Sequence, residues 1–488
     1  MSNKFNCMQT LKRCVHCVTV LSRITSRNAI FALLLLNTSA VLAQDIQTDT
    51  ADGAECLAVE DSPQCGDDAL DPGTVPLGNL PNIFGGNPIN LLSGNKHQKE
   101  RDFGLPDSKL VLQRSYNSEN ADNNIGLGQG WHHSYTVSLF DSGNGAREIV
   151  QSNGSRLRFE ADGTDAEGRP LMRSSHSNQG YLVKTEQHHE WHLPDGRTLR
   201  FKGSFLIEID WPDQSRLVLF YRGARISRVS DETGRVLQFD YSAGSSQLPG
   251  YETKRFGVAE GHLASVTLPD GSKIGYDYDQ NRNLSRVRLA DGTSREYHYE
   301  NLDYPNHLTG ITDRTGVRAS TWGYDASGRA HSSEHANGVQ RLNVYYPDQQ
   351  SVTAGDKVQT RVTNALGQKS TYTWRQISNK VPPLLLSSEG VPCTTCPPTG
   401  FTYTYDDNAR LISKRRTGRG TSVGIDDIRY VYDELGRLVE TWQSDTFSEE
   451  QQIERREYVG QSHQAHRIFT PSVNPAACLL YTSDAADE

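Results

Sequence analysis

Four groups of residues have the types and spacings from which chemistry is built. Cys393-Thr394-Thr395-Cys396 spaces two thiols as a redox pair or half of a zinc site would. A redox pair opens a helix after a strand, whereas Pro392 precedes these cysteines and Pro397-Pro398 follows them, which reads as a turn. A structural zinc site needs a second ligand pair, and the sequence offers no other suitable CxxC or spaced His pair. A structural turn or disulfide is the expectation, with metal and redox as the alternatives. Histidines gather at His132-His133 and at His188, His189 and His192. Neighbours on a strand point to opposite faces, so His132 and His133 cannot readily share an ion. His188 and His192 share a face but stand ~13 Å apart along a strand, too far for one ion without a bulge. Asp277, Asp279, Asp406 and Asp433 could pair or hold calcium. Each lies beside a turn, however, where Asp accepts backbone hydrogen bonds. Tyr297-His298-Tyr299 near Arg295 could stack on sugars or bases, and cross-strand packing explains them more simply. The sequence contains no G-x-S-x-G elbow, phosphate loop or H-E-x-x-H. No catalytic constellation emerges, so no enzyme activity, cofactor or metal is expected within these residues.

Composition narrows what could position such groups. The 488 residues amount to about three domains. Charged residues at 22% and apolar ones at 35%, with 42 glycines besides, exclude wholesale disorder. A net charge of −9 argues against nucleic acid as a partner. With 21 Tyr against 14 Phe and only 3 Met, turns and half-exposed strands are favoured over helices with Leu/Met cores.

Both ends differ from the body. Lys4, Lys12, Arg13, Arg23 and Arg27 precede an apolar run from Ala29 to Leu36, and no acidic residue appears before Asp45. Val41-Leu42-Ala43 then offers small residues for a signal peptidase, so residues 1–43 read as a secretory signal cleaved at Ala43. Export through the inner membrane, to the surface or beyond, is expected; an uncleaved anchor is the alternative. The run is shorter than the ~20 residues of a spanning helix. Residues 44–84, rich in Asp, Pro, Gly and Thr, read as a disordered linker. After the leader, Cys56, Cys65, Cys393 and Cys396 form an even set. In an oxidising compartment Cys56–Cys65 and Cys393–Cys396 are the simplest of three connectivities. Residues 478–488 continue nothing before them and resemble translated read-through of a transposase adapter from DNA library preparation. The expected reading frame therefore runs on past residue 477.

The body repeats one short phrase. Turn pairs recur at Asp195-Gly196, Thr233-Gly234, Asp270-Gly271, Asp291-Gly292, Thr315-Gly316, Ser327-Gly328 and Leu435-Gly436, several about 20 residues apart. Strand ends recur as Tyr276-Asp277-Tyr278-Asp279, Tyr297-His298-Tyr299, Tyr403-Thr404-Tyr405-Asp406 and Tyr430-Val431-Tyr432-Asp433. Fuller copies are Tyr324-Asp325-Ala326-Ser327-Gly328-Arg329 and Tyr432-Asp433-Glu434-Leu435-Gly436-Arg437-Leu438. Asp-Gly and Asn-Gly supply the positive φ of two-residue hairpin turns. Period-two alternation puts both rings of Tyr-x-Tyr on one face. One hairpin cannot bury that face, and a stack of hairpins can. The prediction is an all-β, antiparallel hairpin array that coils or closes, with few helices. Tyr276, Asp277, Asp270, Gly271, Tyr324, Asp325, Gly328, Arg329, Tyr432, Asp433, Gly436 and Arg437 are its motif residues.

The phrase Tyr-Asp-x-x-Gly-Arg-Leu resembles the tyrosine–aspartate (YD) repeat of bacterial Rhs proteins and animal teneurins. Gly86-Asn87-Pro88-Ile89-Asn90, Leu112-Gln113-Arg114-Ser115-Tyr116-Asn117-Ser118 and Gly128-Gln129-Gly130-Trp131-His132-His133-Ser134-Tyr135 resemble the N-terminal domain of unknown function that leads into Rhs repeats. The resemblance implies an Rhs-type domain over 85–165 and a YD array over 166–477, forming part of a hollow β shell. In such proteins the shell encloses a variable C-terminal toxin, released by self-cleavage in an Asp-Pro-x-Gly context. No such cleavage segment matches here, since Asp71-Pro72-Gly73 lies in the linker. The expected function is therefore structural, an exported shell whose partner is its own C-terminal domain. The alternative is a surface module binding glycans or a target-cell receptor.

Overall fold

The computed structural model describes residues 83–174, 179–242, 261–346, 355–376, 383–390, 400–417, 427–444, 449–460, 465–470 and 479–482. Ala43, Cys56, Cys65, Cys393 and Cys396 lie outside these residues, as do the signal, nearly all of the linker and most of 478–488.

Strands dominate because the sequence alternates. Leu217 and Leu219, Leu237 and Phe239, and Ile274 and Tyr276 are buried two residues apart, with a less buried residue between each pair. Among the described residues no α-helix occurs, and short 3-10 turns are found at Ser118–Asn120 and Ala336–Gly338. From Ser138–Gly143 to Leu479–Thr482 the strands form one antiparallel sheet in which each pairs with the next in sequence. The sheet coils back on itself. Strand Phe205–Asp210, the eighth, meets the first at Phe205 opposite Ser138, and Leu139 N donates to Ser204 O at 3.2 Å. The remainder of the same strand pairs onward with Arg216–Arg222. This contact covers the start of the first edge while leaving the chain free to continue.

A separate piece precedes the sheet. Strands His97–Gly104, Val111–Asn117 and Trp131–His133 form a three-stranded antiparallel sheet, and Phe84–Gly85 pairs with Ile89–Asn90. All seven residues of Val111–Asn117 are buried, on both faces, although four of them are polar or charged.

Most hairpins differ from the two-residue turn expected. At Asp270-Gly271, Leu268 N donates to Ser272 O (2.8 Å) and Gly271 N to Leu268 O (2.9 Å), and only Gly271 has positive φ. This is a type I turn followed by a glycine bulge. Asp270 stays at ordinary φ, and its carboxylate accepts from Ser272 N and Oγ at 2.9 and 2.6 Å. A two-residue turn would need Asp itself to turn left-handed, which Asn144 does beside Gly145.

Candidate functional site

The repeated phrase builds a lattice in which every residue type has a partner. At Asp325 the turn carbonyl receives Gly328 N (3.0 Å), and φ at Gly328 is 77°. The Asp325 carboxylate then accepts from Ser327 N (2.9 Å), Arg329 N (3.0 Å) and Arg329 Nε (2.9 Å). Partial burial opposes ionisation of Asp325, yet these donors outweigh it and hold its pKa below the usual carboxylate range. Asp433 clamps Arg437 in the same way, through N at 2.9 Å and Nε at 2.7 Å, with Gly436 at φ 80°. Asp165–Arg169, Asp231–Arg235 and Asp406–Arg410 repeat the clamp, with Nε to carboxylate distances of 2.7, 2.7 and 2.6 Å.

Two further contacts tie each unit to its neighbours. The clamped guanidinium lies over the tyrosine that ends the next repeat: Arg329 over Tyr346 at 4.8 Å, Arg410 over Tyr432 at 5.0 Å, and Arg437 over Tyr458 at 4.6 Å. Each tyrosine in turn donates its hydroxyl to a carbonyl at or just before the start of an earlier strand. Tyr278 reaches Leu263 O (2.7 Å), Tyr324 Leu308 O (2.7 Å), Tyr405 Leu385 O (2.8 Å) and Tyr432 Leu411 O (2.9 Å). The strand register shifts immediately before each of these tyrosines, and the bulge re-aims the ring. Burial raises the phenol pKa of Tyr278, Tyr324 and Tyr405, so they remain donors at neutral pH.

Not every motif residue chosen from the sequence takes part. Tyr324, Asp325, Gly328, Arg329, Tyr432, Asp433, Gly436 and Arg437 all do. Asp270 and Gly271 form a turn without a clamp. Tyr276 and Asp277 stand one step early, because the clamp in that repeat is Asp279 with Asn283, at 2.8 Å to N and 3.0 Å to Nδ2. Asp277 pairs instead with Arg288 on the neighbouring strand, and Tyr276 is buried. The arginine four residues after Asp325 and Asp433 was legible in the sequence as a recurring spacing.

A second constellation carried no sequence signal. Arg114 and Asp102, both 2% exposed, form a two-pronged ion pair at 2.6 and 2.9 Å. Asp102 also accepts from Tyr276 Oη (2.9 Å), and Arg114 donates to Tyr297 Oη (2.8 Å) while lying 4.9 Å from the Trp131 ring centre. Trp131 Nε1 donates to Tyr299 Oη at 2.9 Å. Nearby, Trp322 Nε1 donates to Asn87 O and Lys96 Nζ sits 4.1 Å above the Trp322 ring. Three successive repeats are thereby joined to residues 86–133.

The histidines are packed rather than poised. His133 stacks on Phe239 at 5.4 Å, and His132 lies against Gly154. Burial lowers both, to about 3 and about 4 respectively, and His97 to about 3. His188 and His192 converge on Glu190, at 3.8 and 3.5 Å, with Arg200 Nε at 3.1 Å from the same carboxylate. Among the described residues no group of three His, Cys, Asp or Glu side chains could hold a metal ion, and no helix is long and apolar enough to cross a membrane.

Residues 259–300 match the family described as RHS Repeat, and residues 86–159 match a domain of unknown function, DUF6531. The chain thus carries an Rhs repeat behind a DUF6531 domain. No curated protein matches the Rhs chain in sequence. Its fold is similar to that in the crystal structure of TcdB2-TccC3 without the hypervariable C-terminal region. That match has 12% identity, covers 76% of this chain and 21% of that one, and has a TM-score of 0.25. The Photorhabdus luminescens Tc holotoxin pore, carrying a TccC3 mutation, matches at 13% identity over 76% of this chain and 21% of that one, TM-score 0.25. A porin-like protein from Bacteroides uniformis matches at 10% identity over 61% of this chain and 95% of that one, TM-score 0.13. The Rhs chain spans about a fifth of the length of the TccC3-containing chains. At such TM-scores the assignment rests on the two sequence matches and the repeat lattice.

Proposed function

We propose that this chain builds the wall of an Rhs shell that encloses a C-terminal toxin used against competing cells, after export directed by residues 1–43. The observation that supports a wall is the coil of the sheet, whose eighth strand returns to the first at Phe205 and Ser138. The Tyr–Asp–Arg lattice stiffens such a wall without offering a reactive group. The chain's own C-terminal domain is the partner on this reading, and residues 44–84 tether the signal to the wall.

The test begins with the gene sequence beyond codon 477 and expression of the whole frame. A distinct last domain, resistant to protease while the array is folded and cleaved once urea unfolds it, is the expected result. A last domain cut as fast in native buffer as in urea would overturn enclosure. Export is tested by N-terminal sequencing of protein from the periplasm or medium, with Gln44 expected as the first residue. A second reading, a surface module that binds glycans, is favoured by the groove described next.

A further inference from the structure

Acid and base usually face each other across this sheet. Glu190 stands opposite Arg200, Arg200 opposite Glu208, Asp210 opposite Arg216, Arg286 opposite Glu296, and Glu440 opposite Arg455. The far end of hairpin Arg216–Asp231 breaks this pattern. There Arg222 stands directly opposite Arg225, and Arg228 opposes the phenyl ring of Phe220. No carboxylate among the described residues lies within 4.0 Å of any of the three. Their neighbours Arg216 and Arg235 each hold an aspartate at 2.7 Å.

Two of these guanidiniums, those of Arg225 and Arg228, are held in place by rings. Arg228 lies 3.9 Å above Phe220, and Arg225 lies 4.9 Å above Tyr241 while donating to Gly261 O at 3.4 Å. Together they line a groove of about 840 Å³. Its carboxylate, Asp240, receives Gln238 Nε2 at 3.4 Å and pairs with none of the three arginines. Arg225, Ile226 and Tyr241 also line a second cavity, of about 550 Å³, together with Lys202 and the half-exposed ring of Phe205.

We propose that this groove binds an acidic saccharide, its carboxylates on Arg222, Arg225 and Arg228 and a sugar face against Phe205. Like charges placed directly opposite destabilise a sheet, and a bound anion relieves that cost. Planar guanidiniums fixed on aromatic faces present forks suited to carboxylates. Single-stranded nucleic acid fits less well. It binds by stacking bases on free ring faces, and here guanidiniums cover Phe220 and Tyr241. The chain's net charge of −9 opposes nucleic acid further. The site goes beyond the enclosure reading and stands whether or not the chain encloses a toxin.

The test is calorimetric titration of the full chain with an oligogalacturonate. Saturable binding is expected, weakened about tenfold by R222Q and again by R228Q. R222Q relieves the like-charge pair with Arg225 and should raise the melting temperature slightly, whereas R228Q gives up the stack on Phe220 and should lower it slightly, so loss of binding is separable from unfolding. R216Q, which removes an arginine already paired with Asp210, should leave binding unchanged. Absence of binding, or equal binding by an R222Q/R228Q double variant, would overturn the site. Equal affinity for a neutral maltooligosaccharide would remove the role of charge. Equal affinity for an oligothymidylate, lost in the same variants, would replace the saccharide with a nucleic acid.

Discussion

Repeats 273–346 and repeats 427–458 use one lattice in two environments. Tyr324 and Tyr432 donate to leucine carbonyls at 2.7 and 2.9 Å, and Asp325 and Asp433 clamp their arginines at 2.9 and 2.7 Å. Arg329 and Arg437 stack on the next tyrosine at 4.8 and 4.6 Å. Burial separates the two regions. Ile274 and Tyr276 are 0% and 4% exposed, whereas no residue of strand Asp427–Tyr432 is fully buried. The difference lies in residues 86–133, which reach Tyr276, Tyr297, Tyr299 and Trp322 and none of the described residues of 427–458 by any hydrogen bond above. The lattice is thus a local property of each repeat, and dryness is supplied from a distant part of the chain.

The largest effect should come from removing one charge in the covered region. Asp102→Asn leaves Arg114 buried and unpaired, and should cost about 3–5 kcal/mol in urea unfolding. Asp433→Asn, at the same chemistry in the open region, should cost about 1 kcal/mol. Equal losses would mean that cover contributes nothing.

Acid should separate the regions next. His97, His132 and His133 are neutral in the folded chain down to about pH 3–4, whereas unfolded histidine takes up a proton near 6.5. Below that pH the unfolded state binds more protons, so stability is full above 6.5 and falls as pH drops toward the folded values. Each histidine should cost about 1.4 kcal/mol per pH unit through that window. Hydrogen exchange should accelerate in 97–133 before 427–458, and simultaneous loss would place the acid-sensitive groups elsewhere.

Hydroxyl and turn substitutions should have smaller effects. Tyr324→Phe strands the carbonyl of fully buried Leu308 and should cost about 1–1.5 kcal/mol, against about 0.5–1 kcal/mol for Tyr432→Phe. Urea midpoints for the pair measure that gap directly. Ala409, at φ 61°, occupies the position that glycine takes in most of the clamped turns. Ala409→Gly should therefore raise stability by about 0.5–1 kcal/mol, read as a higher melting temperature. Asp277→Asn, which removes an exposed pair with Arg288 outside the lattice, should change stability by less than about 0.5 kcal/mol.

Much of this was legible because the repeat writes the same local physics many times. Alternating Leu, Val and Tyr announced strands, and recurring Asp-x-x-Gly-Arg announced turns in which a carboxylate binds backbone. The misplacement of Tyr276-Asp277 shows where that reading falters. Tyr276-Asp277-Tyr278-Asp279 contains two tyrosine–aspartate steps, and only the bulge between Asp277 and Tyr278 selects the second. The turn type was misread for a related reason: Asp-Gly suits both a two-residue turn and a glycine bulge, and strand register decides between them.

The amino-acid sequence alone determined the all-β class, the antiparallel order and the clamp partners, because each depends on groups a few residues apart. Tertiary structure decided which repeats are covered, which tyrosines meet Arg114, and where Phe205 returns to Ser138. It also decided that Arg222, Arg225 and Arg228 share a groove. Residues 114 and 297, or 138 and 205, meet through the summed twist of many strands. No single spacing in the chain records that sum.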